Sequence, residues 1–353
     1  MSTSIQTRFI DVGDMRFEVL EARPEGAPKG LALCLHGFPE HAHAWRHQLP
    51  ALAAEGYLAW APNLRGYGAT SSPPKVSDYA IEKLLADVDG LIDAADAGPV
   101  VLIGHDWGAV ISWYYAMHGA RTLDRLIIMN VPHPVPMTRE LKVNPEQRKK
   151  SWYAAFFQLP VLPEWFLTRQ RGAAVARMFG EGTVRPGAVP PESVQVFVDN
   201  VLRPGGARAM IHYYRALVRG GSRRMAQRGM PLITVPTLML WGEQDLALAK
   251  STTYGTEDQV AELTLRYLPE ASHWIQQDDP ETVNAMMSAF LQDAAVPHAS
   301  GAEGDRDPAS GPTPWARKRS ARAPEPCCWA SQRLKRVVRE LPGGAASQAP
   351  FSA

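Results

Sequence analysis

One short segment, residues 100–109, constrains the fold of this chain more than any other. Its sequence is VVLIGHDWGA, in which four apolar residues predict a buried strand that ends at Gly104. A tight turn with Asp106 at its apex follows, and residues 108–117 are predicted to form a helix. This strand–turn–helix is typical of the nucleophile elbow, the G-x-S-x-G turn that presents its central side chain above a sheet.

The residue at the apex of the predicted elbow is an aspartate rather than a serine. A serine alkoxide suits attack on an acyl carbon. A carboxylate is better suited to displacement at a saturated carbon, where it forms an alkyl ester. Asp106 therefore favours chemistry at an sp³ carbon over peptide or ester hydrolysis. The structural alternative is a plain strand-to-helix turn in which Asp106 caps the helix.

Composition excludes several classes of protein. With 353 residues, 45% of them hydrophobic, the chain can form one elaborated domain or two smaller ones. A net charge of +1 attracts no nucleic acid, so no nucleic-acid partner is expected. No apolar run approaches the ~20 residues that span a bilayer, and residues 1–10 do not resemble a signal peptide. The three cysteines form no disulfide framework, so we expect a cytoplasmic protein. We expect it to be either a monomer or a homodimer.

Short apolar strands alternate with helical segments along most of the sequence. The predicted strands are 16–20, 31–35, 57–62, 100–103, 126–130, 237–241 and 263–268. The predicted helices are 44–55, 81–95, 108–117 and 280–293. This alternation predicts an α/β protein with a mainly parallel central sheet flanked by helices on both faces.

The alternation stops twice. Residues 131–230 contain no convincing buried strand and are rich in Trp, Tyr, Phe, Arg and Pro. We predict that they form a helical lid (cap) inserted between two parts of the core, residues 1–130 and 231–294; the alternative is a separate domain with its own function. Residues 295–353 are predicted to be a disordered Pro/Ala/Gly-rich tail.

The predicted tail is basic. Its nine Lys and Arg residues against five acids give it a charge of +4, which leaves about −3 for the rest of the chain. Two interpretations remain open: a weak anion- or RNA-binding segment, and an inert extension.

An alkyl ester on Asp106 persists until activated water cleaves it. That step needs a general base, usually His, oriented by a carboxylate, and the chain order expected for an elbow of this kind is nucleophile, acid, His. Asp245 and His273 each follow a predicted strand, in the loops where sites collect. We predict Asp245 as the orienting acid and His273 as the general base, with Glu243 as the main alternative for the acid.

Negative charge also develops on the Asp106 carbonyl oxygen when water attacks, so two backbone N–H groups are expected to point at it. One is the N–H of Trp107, which follows the nucleophile. The other is the N–H of Phe38, in the loop His36-Gly37-Phe38-Pro39-Glu40 after an early strand. The alternative for this loop is an ordinary strand-ending turn.

Taken together, these motifs resemble those of the soluble epoxide hydrolases of the α/β-hydrolase fold. The resemblance covers about residues 7–292 and rests on segments 36–40 (HGFPE), 62–68 (PNLRGYG), 104–109 (GHDWGA), 130–134 (NVPHP), 241–245 (WGEQD) and 272–274 (SHW). The sequence departs from the family at Asn63, where Asp is more common; that position looks structural.

The resemblance implies two lid tyrosines that hydrogen-bond the epoxide oxygen and assist ring opening. Segment 151–158 (SWYAAFFQ) matches the first motif and places that tyrosine at Tyr153. Segment 212–215 (HYYR) places the second at Tyr214, and Tyr213 is the neighbour most easily confused with it. The assignment is chemically reasonable because a phenol with a pKa near 10 is protonated at neutral pH and can donate to an alkoxide.

The resulting hypothesis is an epoxide hydrolase that uses water to convert a small apolar epoxide into a vicinal diol. No metal and no organic cofactor are expected, since the sequence has no HExxH motif, cysteine ligand set or phosphate-binding Gly loop. The substrate pocket is expected to involve His36, Pro39, Trp152, Phe156, Phe157 and Trp274.

Three other functions are alternatives to this one. A haloalkane dehalogenase would use the same Asp nucleophile but needs halide donors, commonly Trp107 plus an Asn or Trp, where the oxyanion loop has Phe38. A haloacetate dehalogenase would need Arg beside the nucleophile, where Trp107 and Ala109 stand. A catalytically silent scaffold would be expected to lack at least one member of the nucleophile–acid–base set.

Overall fold

An eight-stranded sheet organises the described part of the chain, residues 4–185 and 187–301 of a computed structural model. Its strands are β1 Gln6–Val12, β2 Met15–Ala22, β3 Leu31–Leu35, β4 Leu58–Pro62, β5 Val100–His105, β6 Arg125–Met129, β7 Thr237–Gly242 and β8 Leu263–Leu268. The spatial order is β1-β2-β4-β3-β5-β6-β7-β8. The β1–β2 and β2–β4 pairs are antiparallel and the other pairs are parallel. The predicted α/β fold with a mainly parallel sheet is confirmed.

Twelve α-helices lie in the described residues. They are α1 Gln48–Ala54, α2 Ile81–Ala95, α3 Trp107–His118, α4 Pro134–Val143, α5 Pro145–Lys150, α6 Trp152–Phe156, α7 Leu162–Gly182, α8 Pro191–Leu202, α9 Gly206–Ala216, α10 Ser222–Arg228, α11 Ile275–Asp278 and α12 Pro280–Leu291. Helix α7 is kinked, because residues 169–172 leave helical backbone angles.

The sheet is buried on both faces. Every residue of β3, β4, β5 and β7 is buried. Along β5, Val100 and Leu102 pack into one hydrophobic core, whereas Val101 and Ile103 pack into the other. Each such side chain contributes roughly 1.5–3 kcal/mol through burial, which explains why these strands are continuous apolar runs rather than alternating ones.

Helices α4 to α10 form an insertion between β6 and β7. This helical insertion is joined to the loops that follow the early strands. Asn200 donates to the Glu40 carbonyl at 2.7 Å, and the Tyr213 hydroxyl donates to the Arg65 carbonyl at 2.8 Å. Because both loops follow parallel strands, the insertion lies over the carboxyl edge of the sheet.

Three features differ from the sequence prediction. Strand β1 was not predicted, because its residues are mostly exposed and show no core-facing alternation. The predicted helix 44–55 begins only at Gln48, since residues Ala42–Trp45 form a separate 3₁₀ turn. Val296, placed in the predicted tail, is buried, and its carbonyl accepts bonds from Arg266. The tail from residue 302 onward lies outside the described residues.

Candidate active site

Four predicted site residues meet at the carboxyl edge of the sheet, together with Asn130, for which no role was predicted. Phe38 follows β3, Asp106 follows β5, Asn130 follows β6, Asp245 follows β7, and His273 follows β8. These strands are parallel neighbours, so the loops after them open onto the same edge.

The elbow holds Asp106 in a strained conformation. Its backbone has φ 47° and ψ −119°, a positive φ that few non-glycine residues adopt. Close approach of the neighbouring backbones requires glycine nearby: a Cβ on Gly108 would lie 1.9 Å from the Leu35 carbonyl oxygen, and one on Gly37 would lie 2.2 Å from the Asp106 Cβ. The turn thus directs the Asp106 carboxylate away from the sheet and toward the loop that contains Phe38.

The two oxygens of Asp106 have different neighbours. Oδ1 accepts a hydrogen bond from the Phe38 N–H at 2.6 Å, and Oδ2 lies 3.5 Å from His273 Nε2. Burial opposes ionisation of this carboxyl, but the hydrogen bond and charge of His273, with the Phe38 N–H, outweigh burial and lower the pKa of Asp106. The Asp106 carboxyl is therefore ionised at neutral pH.

His273 is held from its other side by Asp245. Its Nδ1 donates to Asp245 Oδ2 at 2.6 Å, which orients Nε2 toward Asp106. Burial alone would lower the pKa of His273, but the charge of Asp245, reinforced by Asp106, raises it well above its ordinary value. Glu243, the alternative acid, is instead paired with Lys250.

Asp245 is itself fixed by several donors. The Ala247 and Leu248 N–H groups donate to Oδ1 at 2.7 and 2.8 Å, and the Asn130 amide donates to Oδ2 at 2.9 Å. Burial would raise the pKa of Asp245, but His273 and these donors lower it. The Asn130 side chain also accepts a hydrogen bond from the Gly242 N–H at 2.9 Å. It therefore links the end of β6 to the loop after β7 that contains Asp245.

Tyr153 of α6 and Tyr214 of α9 face each other above the carboxylate. Their rings are perpendicular, with centroids 5.9 Å apart. Tyr214 also lies edge-on to Trp107 at 5.0 Å and to Phe38 at 5.4 Å, which places it over the elbow and the oxyanion loop. Burial, followed by the charge of Asp106, raises the pKa of both tyrosines above the ordinary phenol value. Both phenols are therefore protonated donors.

Tyr213 points elsewhere. Its hydroxyl donates to the Arg65 carbonyl at 2.8 Å, and its ring packs against Tyr67 and Tyr79. Adjacent residues on a helix face different directions, about 100° apart. The structure thus separates the two neighbouring tyrosines: Tyr214 lies at the site, and Tyr213 joins the insertion to the core.

His36 orients the loop that contains Phe38. Burial lowers its pKa to about 4, so the ring is neutral. Its Nε2 accepts the Leu64 N–H at 3.1 Å, which leaves Nδ1–H to donate to the Gly37 carbonyl at 3.0 Å. That carbonyl belongs to the same peptide group as the Phe38 N–H, so His36 directs this N–H at Asp106. The Phe38–Pro39 peptide bond is cis.

A buried polar network beneath the site was not predicted as functional. His105 Nε2 lies 2.7 Å from the His273 carbonyl, and His105 Nδ1 lies 2.9 Å from Glu40 Oε2. Gln276 and Gln277 donate to Glu40 Oε1 at 3.0 and 2.8 Å. These bonds fix the backbone of the His273 loop against the loop after β3. Glu40 lies in segment 36–40 and His105 in segment 104–109, two of the segments on which the resemblance rests. Their place in these segments was the only sequence signal for them.

The residues predicted for the substrate pocket do not all face the site. Phe157 packs on Tyr214 at 4.8 Å, and Trp274 packs on His273 at 5.0 Å. Phe156 is partly buried behind Phe157. Trp152 is 61% exposed, so its placement in the pocket is wrong: in the short helix α6 its side chain faces solvent while that of Tyr153 faces the site.

Within residues 4–185 and 187–301, no group of three His, Cys, Asp or Glu side chains is arranged to hold a metal ion. No helix in that part of the chain has the length and hydrophobicity needed to cross a membrane.

Fold and site together define an α/β hydrolase with an aspartate at the elbow. A match to the α/β hydrolase fold family covers residues 32–280. Epoxide hydrolase 4 of Mus musculus is 34% identical over 302 residues, which cover 83% of this chain and 80% of that protein. The AB hydrolase superfamily protein YfhM of Bacillus subtilis is 33% identical over 288 residues, covering 82% of this chain and 98% of that protein.

A solved structure gives the same result. The Bacillus megaterium epoxide hydrolase, crystallised with an inhibitor, matches with a TM-score of 0.73 and 29% identity, covering 81% of this chain and all of that chain. The protein therefore belongs to the epoxide hydrolase family of the α/β-hydrolase fold.

Proposed function

We propose that this hydrolase converts an apolar epoxide and water into a vicinal diol through a covalent alkyl ester on Asp106. The two environments of its carboxylate oxygens support this proposal most directly. Oδ1 accepts the Phe38 N–H at 2.6 Å, whereas Oδ2 lies on the side of His273. A carboxylate oriented in this way has one oxygen free to attack and one that is already stabilised as a developing oxyanion.

In the first step, Asp106 Oδ2 attacks one epoxide carbon and forms an ester bond. The bond between that carbon and the epoxide oxygen breaks, and its electron pair stays on the oxygen. Tyr153 and Tyr214 hydrogen-bond this oxygen, and one of them transfers its proton to the alkoxide. The resulting phenolate is neutralised by a proton from solvent, since both phenols have raised pKa values.

In the second step, His273 Nε2 takes a proton from water while the water oxygen attacks the Asp106 carboxyl carbon. Oδ1 becomes the oxyanion and is stabilised by the Phe38 N–H and by that of Trp107. The Trp107 N–H belongs to the first turn of α3, where backbone donors have no partner within the helix. The bond between the carboxyl carbon and Oδ2 then breaks, the imidazolium returns its proton to the departing oxygen, and the diol leaves. The Asp106 carboxyl gives up its remaining proton to solvent, which balances the proton that the phenolate took up in the first step.

The pair of tyrosines favours an epoxide over an alkyl halide. Phenol hydroxyls donate to the alkoxide of ring opening, and the helical insertion places two of them opposite Asp106. The side chain of Phe38, where a halide site would need a donor, is an apolar ring packed against Phe157 at 5.3 Å. We therefore assign the helical insertion the role of a lid that positions the epoxide.

A single turnover in ¹⁸O-enriched water tests the proposal. Purified protein in excess over styrene oxide should release a first diol without label, because its new oxygen comes from Asp106. The label should then appear in the peptide that contains Asp106. Asp106→Asn is the matched control, since it keeps the shape of the side chain but removes the charge, and it should form neither adduct nor diol.

Other outcomes would assign the protein differently. A labelled first diol would show that water attacks the epoxide directly and would overturn the covalent route. Halide release from 1-bromobutane without turnover of any epoxide would assign a dehalogenase. Inactivity toward both substrate classes, including a panel of larger epoxides, would support a silent scaffold.

A further inference from the structure

Helix α6, the loop after it and the first turn of α7 expose large apolar side chains. Trp152, Leu159, Val161, Leu162 and Trp165 are between 43% and 74% exposed, and we refer to these five residues as the apolar patch. Single exposed apolar residues are ordinary, but a group of this kind in one region marks an interaction site.

The two tryptophans of the apolar patch lie on an aromatic base. The ring of Trp152 lies 5.7 Å from that of Phe156, which in turn lies 5.7 Å from Phe166. The guanidinium of Arg169 lies over both Phe166, at 5.5 Å, and Trp165, at 4.9 Å. The two exposed tryptophans are therefore linked through partly buried rings.

The tip of the apolar patch is conformationally strained. Val161 has φ 63°, and its carbonyl accepts the Trp165 N–H at 2.9 Å at the start of α7. A β-branched residue rarely adopts a positive φ, and such strain persists only where the surrounding structure enforces it. Here it is found at a side chain that is 74% exposed and contributes little burial to the fold.

Positive charge surrounds the apolar patch. Lys149 is exposed just before Trp152, Arg169 lies at the edge of Trp165, and Arg219 bonds to Gln158 beside Leu159. The sequence from 147 to 172 contains five Lys and Arg residues and a single acid, Glu164, and one of the five, Lys150, is paired with Glu146 just before this segment. Glu164 is paired with Arg215 at 2.5 and 3.1 Å, so it does not offset the exposed cations.

We propose that the apolar patch docks on the surface of an anionic lipid bilayer. Tryptophan is enriched at the interface between lipid and water, and exposed aliphatic residues insert among the head groups. The surrounding Lys and Arg side chains match the negative charge of anionic lipids. A second copy of the chain fits less well, because a two-fold contact through this patch would bring the same cations face to face.

Vesicle binding by the full-length protein tests this inference without reference to catalysis. We expect the protein to co-sediment with vesicles of phosphatidylglycerol and phosphatidylcholine, and Val161→Asp to weaken that binding by about tenfold or more. Phe9→Asp is the matched control: it introduces the same charge at a side chain of β1 that is 47% exposed and lies outside the helical insertion. The basic segment 302–353 is present in both variants and contributes equally.

Tryptophan fluorescence provides a second measurement. Brominated phospholipid in the same vesicles should quench the tryptophan fluorescence of the protein. The double variant Trp152→Phe/Trp165→Phe should lose that quenching. Equal vesicle binding by Val161→Asp and Phe9→Asp would overturn the proposal. So would a wild-type dimer in sedimentation that Val161→Asp converts to a monomer with unchanged vesicle binding, since the patch would then be an interface between copies.

Discussion

His273 Nε2 lies 3.5 Å from Asp106 Oδ2, almost an ångström farther than the 2.6 Å between His273 Nδ1 and Asp245. The imidazole is therefore held firmly by Asp245 and only loosely by Asp106. In the free enzyme its pKa is raised by both carboxylates. An ester on Asp106 removes one of these negative charges, so the pKa of His273 falls at the stage when a base is required.

His273→Gln should separate the two steps of the reaction. Glutamine cannot take a proton from water, so hydrolysis of the ester should slow by about 10³-fold while alkylation of Asp106 continues. Mass spectrometry of the intact protein should then show one added epoxide per chain. His118→Gln, at the carboxyl end of α3, is the control and should turn over normally. Absence of the adduct with otherwise normal folding would contradict the role given to His273.

Asp245→Asn and Glu243→Gln should differ sharply in activity. Asparagine cannot stabilise the imidazolium and permits the wrong tautomer of His273, so turnover should fall by about 10²–10⁴-fold. Glu243 is paired with Lys250, and its loss should change turnover by less than threefold or so, as expected for a surface ion pair. Steady-state turnover of both variants on one epoxide tests this difference. Similar losses of turnover in the two variants would contradict the choice of Asp245 over Glu243 as the orienting acid.

Much of the site was predictable because its signals are local. The apolar run before Gly104 and the helix after Asp106 define an elbow within ten residues. Asp245 and His273 follow from strand ends, since parallel strands bring the residues after them to one edge. The same reasoning predicted the mainly parallel sheet.

The remainder depends on contacts between distant residues. Asn130 meets Asp245 across 115 positions, and His105 meets the His273 carbonyl across 168. No periodicity encodes such pairs. The exposed position of Trp152 was likewise hidden, because in a helix of five residues the apolar pattern does not show which side faces the core.

The three tyrosines should respond differently to the loss of a hydroxyl. Tyr153→Phe and Tyr214→Phe should each slow alkylation of Asp106 by about 10²-fold, because one donor to the epoxide oxygen is lost. Tyr213→Phe should leave alkylation unchanged but lower the free energy of unfolding by about 1–3 kcal/mol, since the buried Arg65 carbonyl loses its donor. Rapid-quench measurement of adduct formation and urea unfolding test both effects. A rate loss in Tyr213→Phe alone would reverse the assignment.

Asn130→Asp should make stability depend on pH. It places a second carboxyl 2.9 Å from Asp245 Oδ2, where the amide now donates. Two such carboxylates cannot both ionise, so the folded pKa of the pair is raised above its unfolded value. The destabilisation, about 1–3 kcal/mol, should be present at neutral pH, shrink as pH falls through the raised folded pKa, and be lost below the unfolded carboxyl pKa of about 4. Urea unfolding at several pH values checks it, with Asn284→Asp as control; a pH-independent loss would contradict the explanation.

The two chemical steps should lose rate at different acid pH values. Alkylation needs the ionised form of Asp106, whose pKa is lowered, so single-turnover alkylation should persist below about pH 4. Hydrolysis needs neutral His273, and Asp245 still raises the pKa of that imidazole after the ester has formed. As the pH is lowered, turnover should therefore begin to decrease at about pH 6.5 or higher. At about pH 5 the alkyl-enzyme should accumulate. On the alkaline side the raised pKa values of Tyr153 and Tyr214 should keep alkylation unchanged to about pH 10. If both steps instead lose rate at the same acid pH, one group controls both, and the separation of nucleophile and base would have to be abandoned.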